Sequence, residues 1–308
     1  MSAVFLGVDL GGTKVAVSLW SGAGKRLGSV RWPTSEEVQP NLERVAGEAE
    51  RLIHATGAPV ELAAIGVSGG GPVDPERGVI HSVPNLPAWR DVAVCEMLSA
   101  ALGVPAFLEN DANAGALAEW RYGAGRGVSD LVFLTCSTGI GAGLILGGRL
   151  YRGSRSLAGE IGHQTIVPGG EPCGCGRRGC LEAYAGGAGI ARRLAARSWH
   201  SPDPPRTARQ LTELARRGDP DARAFLGETA RYLARGLAHL LFLLNPERIV
   251  LGTIAVGAGD LLLGPLRAEL ADLVWPSLLE GVEILPAALG SDLGDYAAWS
   301  VAQDRFPG

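Results

Sequence analysis

The chain has 308 residues, of which 46% are apolar and 19% charged, with a formal net charge of −4. That apolar share can fill two ordinary cores and excludes a disordered or linker-like protein. Glycine is abundant, at 45 residues, but shows no three-residue period, so collagen is excluded; the slight acidity gives no reason to expect a nucleic-acid footprint.

Val4–Leu10 reads as a buried strand that enters a tight turn at Gly11-Gly12, with Val15–Trp20 and Gly28–Trp32 as its antiparallel partners. A helix is expected from about Ser35 to His54, then a strand at Leu62–Val67 that runs into Gly69-Gly70-Gly71-Pro72. Pro84–Trp89 reads as a Pro-bounded loop, followed by a helix near Asp91–Leu102, a strand at Ala106–Leu108 and a helix at Asp111–Tyr122. Leu131–Thr135 and Ala142–Leu146 flank a second polar, Gly-rich turn, which repeats the layout of the first strands and suggests an internal duplication. A long helix over Ala222–Leu244, a strand at Arg248–Leu251 and a last helix near Leu289–Gln303 complete the α/β pattern. His239 and Asp260 interrupt the most apolar stretches, so no membrane span is expected, and no secretory pattern precedes Asp9.

Two turns carry phosphate-binding chemistry. In Asp9-x-Gly11-Gly12-Thr13-Lys14, glycines let backbone N–H groups approach an anion, Thr13 adds a hydroxyl and Lys14 a point charge. Lys14 is one of only two lysines, and Asp9 at the strand end suits a Mg²⁺ ion. The second turn, Ser137 to Gly143, offers Thr138 and Gly139 in the same setting, and two such turns suit a nucleotide's phosphate chain. Asp111 in Glu109-Asn110-Asp111-Ala112-Asn113 opens a helix; an N-cap is the commoner role at such a position, and it is compatible with a general base that accepts an alcohol's proton.

His163, Cys173, Cys175 and Cys180 match the Cys₃His set of a closed, structural zinc site, with Gly174, Gly176 and Gly179 permitting the turns between them. Five cysteines, three of them crowded between 173 and 180, favour metal over disulfides and a reducing, cytoplasmic compartment. If one imidazole nitrogen of His163 binds metal, the other is fixed as a donor able to face a sugar hydroxyl. Asn85 offers a donor and an acceptor to a polyhydroxylated ligand.

In order and spacing, Asp9–Lys14, Gly66–Asp74, Pro84–Trp89, Glu109–Asn113, Thr138–Gly143, Gly159–Glu182 and Asn245–Leu263 together resemble the ROK family of bacterial sugar kinases and repressors. The resemblance implies an actin-like, ribonuclease-H-like ATPase fold of two α/β domains with a cleft between them. The smaller domain would comprise residues 1–112 plus about 290–308, and the larger 113–289. It further implies an ATP-dependent, Mg²⁺-dependent hexose kinase, most like a glucokinase that phosphorylates the 6-hydroxyl, with structural Zn²⁺ and a dimeric or tetrameric assembly. By position, Asp111 corresponds to the catalytic base, and Asn85, Asn110, Asp111, Glu160, His163 and Glu182 to sugar contacts. His163, Cys173, Cys175 and Cys180 correspond to zinc ligands, and Asp9, Gly11, Gly12, Thr13, Lys14, Thr138, Gly139 and Gly252 to the nucleotide side. The chain departs from the family at Gly252-Thr253-Ile254, where a glycine run is usual, and at Gly70, where Pro is usual. An N-acetylglucosamine or N-acetylmannosamine kinase is the alternative within this class, and a non-catalytic sugar sensor the alternative outside it. The repressors' added DNA-binding segment is not expected, because the phosphate motif begins at residue 9.

Overall fold

A computed structural model describes residues 2–83, 86–201 and 203–306. The chain divides into two compact units, Met1–Tyr122 with Ser291–Gly308, and Gly123–Gly290.

In chain order the first unit contains strands β1 (Ser2–Leu10), β2 (Lys14–Ser21) and β3 (Arg26–Pro33), helix α1 (Val38–Ala55) and strand β4 (Val60–Gly69). There follow β5 (Val73–Asp74), β6 (Val79–Val83), β7 (Leu86–Val92), α2 (Val94–Leu102), β8 (Ala106–Asn110) and α3 (Asp111–Tyr122). The second unit contains β9 (Leu131–Leu134), β10 (Ala142–Leu146), β11 (Arg149–Leu150), α4 (Leu181–Ala185), α5 (Gly187–Ala196), α6 (Ala208–Arg216) and α7 (Pro220–Leu244). It closes with β12 (Arg248–Leu251), α8 (Thr253–Ala258), α9 (Asp260–Leu273), α10 (Pro276–Leu279) and β13 (Glu283–Pro286), after which α11 (Leu293–Arg305) rejoins the first unit.

The duplication suggested by the sequence is present in the topology. One sheet runs β3-β2-β1-β4-β8 and the other β11-β10-β9-β12-β13. In each, three antiparallel strands are followed by two that run parallel to the first. A separate three-stranded sheet, β5-β6-β7, hangs on the first unit.

The first core forms where the buried faces of β1, β2 and β4 (Leu6, Val8, Val17, Ile65, Val67) meet α1 and α2. The opposite face of the sheet carries α11. A Cβ at Gly66 would lie 2.0 Å from the Ala298 carbonyl oxygen, so only glycine allows α11 to rest on the strand backbone. Trp299 of α11 stacks on Trp20 at 4.5 Å, and Arg121 of α3 donates to the Ser300 carbonyl at 2.9 Å and to Asp304. α3 therefore belongs to the first unit, which runs to Tyr122, ten residues beyond the boundary at residue 112 expected from the sequence. In the second unit the apolar stripe of α7 (Phe225, Leu233, Leu237, Leu241) packs with Leu262, Leu266 and Leu270 of α9. Asp219 caps α7 by accepting the Ala222 N–H, and Asn245 ends it in the left-handed conformation.

Two local expectations are corrected. The segment expected as a loop before Trp89 is strand from Leu86, paired with β6, because Leu86, Trp89 and Val92 are all buried. Asp91, expected to open a helix, belongs to the same strand, with a φ of +50° and a 2.7 Å contact to His81 Nδ1, and α2 starts only at Val94.

Candidate functional site

In the first unit, the parallel strands β1, β4 and β8 end side by side. Asp9 lies in register with Ser68, and Ser68 with Glu109, so the chemistry-bearing residues collect at the carboxyl ends of the strands. The turn after β1 is closed by the Gly11 N–H donating to the Lys14 carbonyl at 3.0 Å. Thr34, which sequence reasoning passed over, braces it: its hydroxyl donates to the Gly11 carbonyl at 2.7 Å and its N–H to that of Thr13. Its position directly after the strand facing Lys14 was the available signal. Thr13 and Lys14 are exposed, with Gly11 and Gly12 partly so.

Burial pushes the Asp9 carboxyl from its ordinary 3.8 up to about 6; Lys14 and Arg31 oppose that rise, while Asp111 and Asp295 add to it. Asp9, Lys14 and Asp111 therefore share one electrostatic neighbourhood. Asp111 is exposed as the first residue of α3. The β8–α3 junction that carries it is fixed from beneath by buried Glu109, whose Oε1 accepts from the Asn110 N–H at 3.1 Å and from Asn113 Nδ2 at 2.9 Å. Asn110 is engaged by the chain itself: its Nδ2 donates to the Gly71 carbonyl at 3.2 Å and its Oδ1 accepts the Ala112 N–H. Asn85 lies outside the described residues.

In the second unit the turn after β9 exposes Ser137 and Thr138 and leaves Gly139 partly exposed. The Thr135 N–H donates to the Gly141 carbonyl, and the Gly141 N–H returns to Thr135 Oγ1. Glu182 reaches this turn, its Oε2 accepting the Ile140 N–H at 2.9 Å. Glu160 and His163 stand together on a short 3₁₀ turn, with Glu160 Oε2 3.9 Å from His163 Nε2.

The other imidazole nitrogen, Nδ1, faces Cys173 Sγ at 3.7 Å. The ligand atoms of His163, Cys173, Cys175 and Cys180 all lie within 4.8 Å of one another, and no other group of three or more such side chains converges among the described residues. Gly176 and Gly179 adopt positive φ in the hairpin that returns Cys180, although Gly174 does not. Burial raises Cys173 and lifts Cys180 to about 12, while a backbone N–H at Arg177 holds exposed Cys175 below its ordinary range. Four converging nitrogen and sulfur donors, two of them on buried cysteines, fit a closed tetrahedral zinc.

Gly252 is buried ahead of α8, its N–H donating to the Leu134 carbonyl at 2.8 Å. Beside it opens a cavity of about 480 Å³, lined among others by Cys136, Ser137, Gly187, Thr212, Arg216 and Thr253. That volume suits a nucleoside-sized ligand. Arg216 ties α6 to α8 by donating to the Gly257 carbonyl at 2.5 Å. Nothing local in the sequence marks α6 as a wall of this cavity.

Residues 5–305 match the ROK family. The chain belongs to the ROK family. Its two sheets of one topology are the halves of the actin-like ATPase fold that ROK sugar kinases share. A glucokinase of Thermotoga maritima is 36% identical, over 98% of both chains. The crystal structure of a ROK hexokinase from Thermus thermophilus superposes with a TM-score of 0.82 at 39% identity, covering 98% of each chain. A ROK glucokinase from Streptomyces griseus, solved in complex with glucose and AMPPNP, gives a TM-score of 0.79 at 31% identity, covering 97% of this chain and 99% of its own.

Proposed function

We propose that this ROK protein is an ATP-dependent sugar kinase that transfers the γ-phosphoryl group to the 6-hydroxyl of a hexose, glucose foremost. The observation that carries the reading is full-length similarity to glucokinases in a chain that keeps both phosphate turns and an exposed carboxylate at position 111.

Each unit has its part. The first supplies Asp111 as the base that takes the hydroxyl proton, and the turn Gly11–Lys14, whose backbone and lysine offset phosphate charge. Asp9 would hold Mg²⁺, which neutralises charge on the phosphates when bound, and the nearby carboxylate of Asp111 adds to the negative field there. The second unit supplies the turn at Thr138–Gly139 for the phosphate chain and the 480 Å³ cavity beside Gly252 for the nucleoside. Thr253 and Ile254, larger than the glycine run that is usual there, both line the cavity. Glu160, His163 and Glu182 would receive sugar hydroxyls. With Nδ1 turned towards the cysteines, His163 would present Nε2–H, with Glu160 Oε2 3.9 Å away. Zn²⁺ held by His163, Cys173, Cys175 and Cys180 would fix that loop, and a cytoplasmic location suits thiols of this kind.

The test is Asp111→Asn. With the base removed and the fold kept, kcat should fall by a factor of about 10²–10⁴ while glucose binding by calorimetry stays within a few-fold. Near-normal turnover would remove Asp111 from the role.

A further inference from the structure

We infer that Glu182 is a positioning residue of the nucleotide-phosphate turn: it holds residues 137–141 in their binding conformation before any sugar arrives. The inference rests on the proposal that this turn takes the nucleotide phosphates.

Glu182 lies two residues beyond Cys180, on the short helix that the cysteine hairpin leads into. Its Oε2 accepts the Ile140 N–H at 2.9 Å, and Gly139 lies against the same oxygen so closely that a Cβ there would sit 2.4 Å from it. The start of α5, which follows α4 directly, grips the turn twice more. The Gly187 N–H donates to the Ser137 carbonyl at 2.8 Å, and the Ala188 N–H to the Thr138 carbonyl at 3.0 Å. Ser137, Thr138 and Ile140 are thus each fixed from one short segment, and only the Ile140 bond depends on a side chain. Glu182 Oε1 points the other way, 3.8 Å from Cys173 Sγ. One carboxylate therefore spans from the metal-binding hairpin to the phosphate turn. Without it, the partly buried turn keeps its two carbonyl anchors but loses the one that orients the Ile140 amide, and ordering the turn falls to the nucleotide.

The experiment measures binding of Mg·AMPPNP by calorimetry with no sugar present, so that a sugar contact of Glu182 does not contribute. The variants are Glu182→Ala, Glu182→Asp and Glu182→Gln, each with its zinc content and melting temperature recorded. Gln keeps an acceptor at the right reach and should bind nucleotide within about twofold of wild type. Ala and Asp, which withdraw or shorten the acceptor, should bind about tenfold more weakly with zinc content unchanged. Faster amide hydrogen exchange across 137–141 should accompany the loss, and can be read even in a variant too unstable for calorimetry. Wild-type affinity and exchange in both Ala and Asp would overturn the inference. A wild-type protein that binds Mg·AMPPNP while its 137–141 amides gain no protection would overturn it by removing the turn from the nucleotide site, a failure of the underlying proposal distinguishable from the first.

Discussion

At the scale of single residues, the site stores an electrostatic conflict in Asp9. Its carboxyl is lifted to about 6 by burial and by the fields of Asp111 and Asp295. A raised folded-state pKa gives stability that is complete below the ordinary 3.8 and lost as pH rises through 6; over that window the loss approaches about 3 kcal/mol. Asp9→Asn, which cannot ionise, should therefore melt higher than wild type at pH 7.5 without divalent cations. The two should converge by about pH 4, and the extra stability conferred by Mg·ATP should shrink in the variant. A variant that melts no higher at pH 7.5 would mean that Asp9 carries no such conflict. Charged residues at strand ends were legible in the sequence because their spacing from the glycines is local. The bracing by Thr34, and the use of Asn110 by the chain itself, were not: both depend on which strand or turn lies opposite.

At the scale of elements, helices and strands with a strong period matched their readings closely. α3 begins at Asp111, just after Asn110, whose Oδ1 accepts the Ala112 N–H, and β12 spans Arg248–Leu251, an apolar run. The β6–β7 hairpin was misread because Pro87 and Asp91 interrupt its apolar residues, while burial of Leu86 and Trp89 by the first core overrides that local signal. The cysteine hairpin was legible for a different reason: metal-ligand chemistry demands particular residue types within a short span. It should hold one equivalent of zinc per chain in protein purified without added metal. Chelation should expose up to three thiols to a thiol reagent and lower the melting temperature. Negligible zinc in a protein that melts normally would contradict the structural role.

At the scale of the molecule, one sheet topology occurs twice, and each copy places a glycine-containing turn after its first strand. The repeat was faint in sequence because only the turn chemistry is shared; the strands around it need only be apolar. Of the nucleoside-sized cavity only the neighbourhood of Gly252 was legible, since the turn after β9, α5, α6 and α8 line it from segments far apart in the chain. The sharpest test of the whole account is a ³¹P NMR time course of the protein with Mg·ATP and either glucose or 6-deoxyglucose. The account predicts glucose 6-phosphate appearing mole for mole with ADP, and no sugar phosphate from the deoxy compound. Inorganic phosphate without sugar phosphate, or a phosphorylated 6-deoxyglucose, would contradict it.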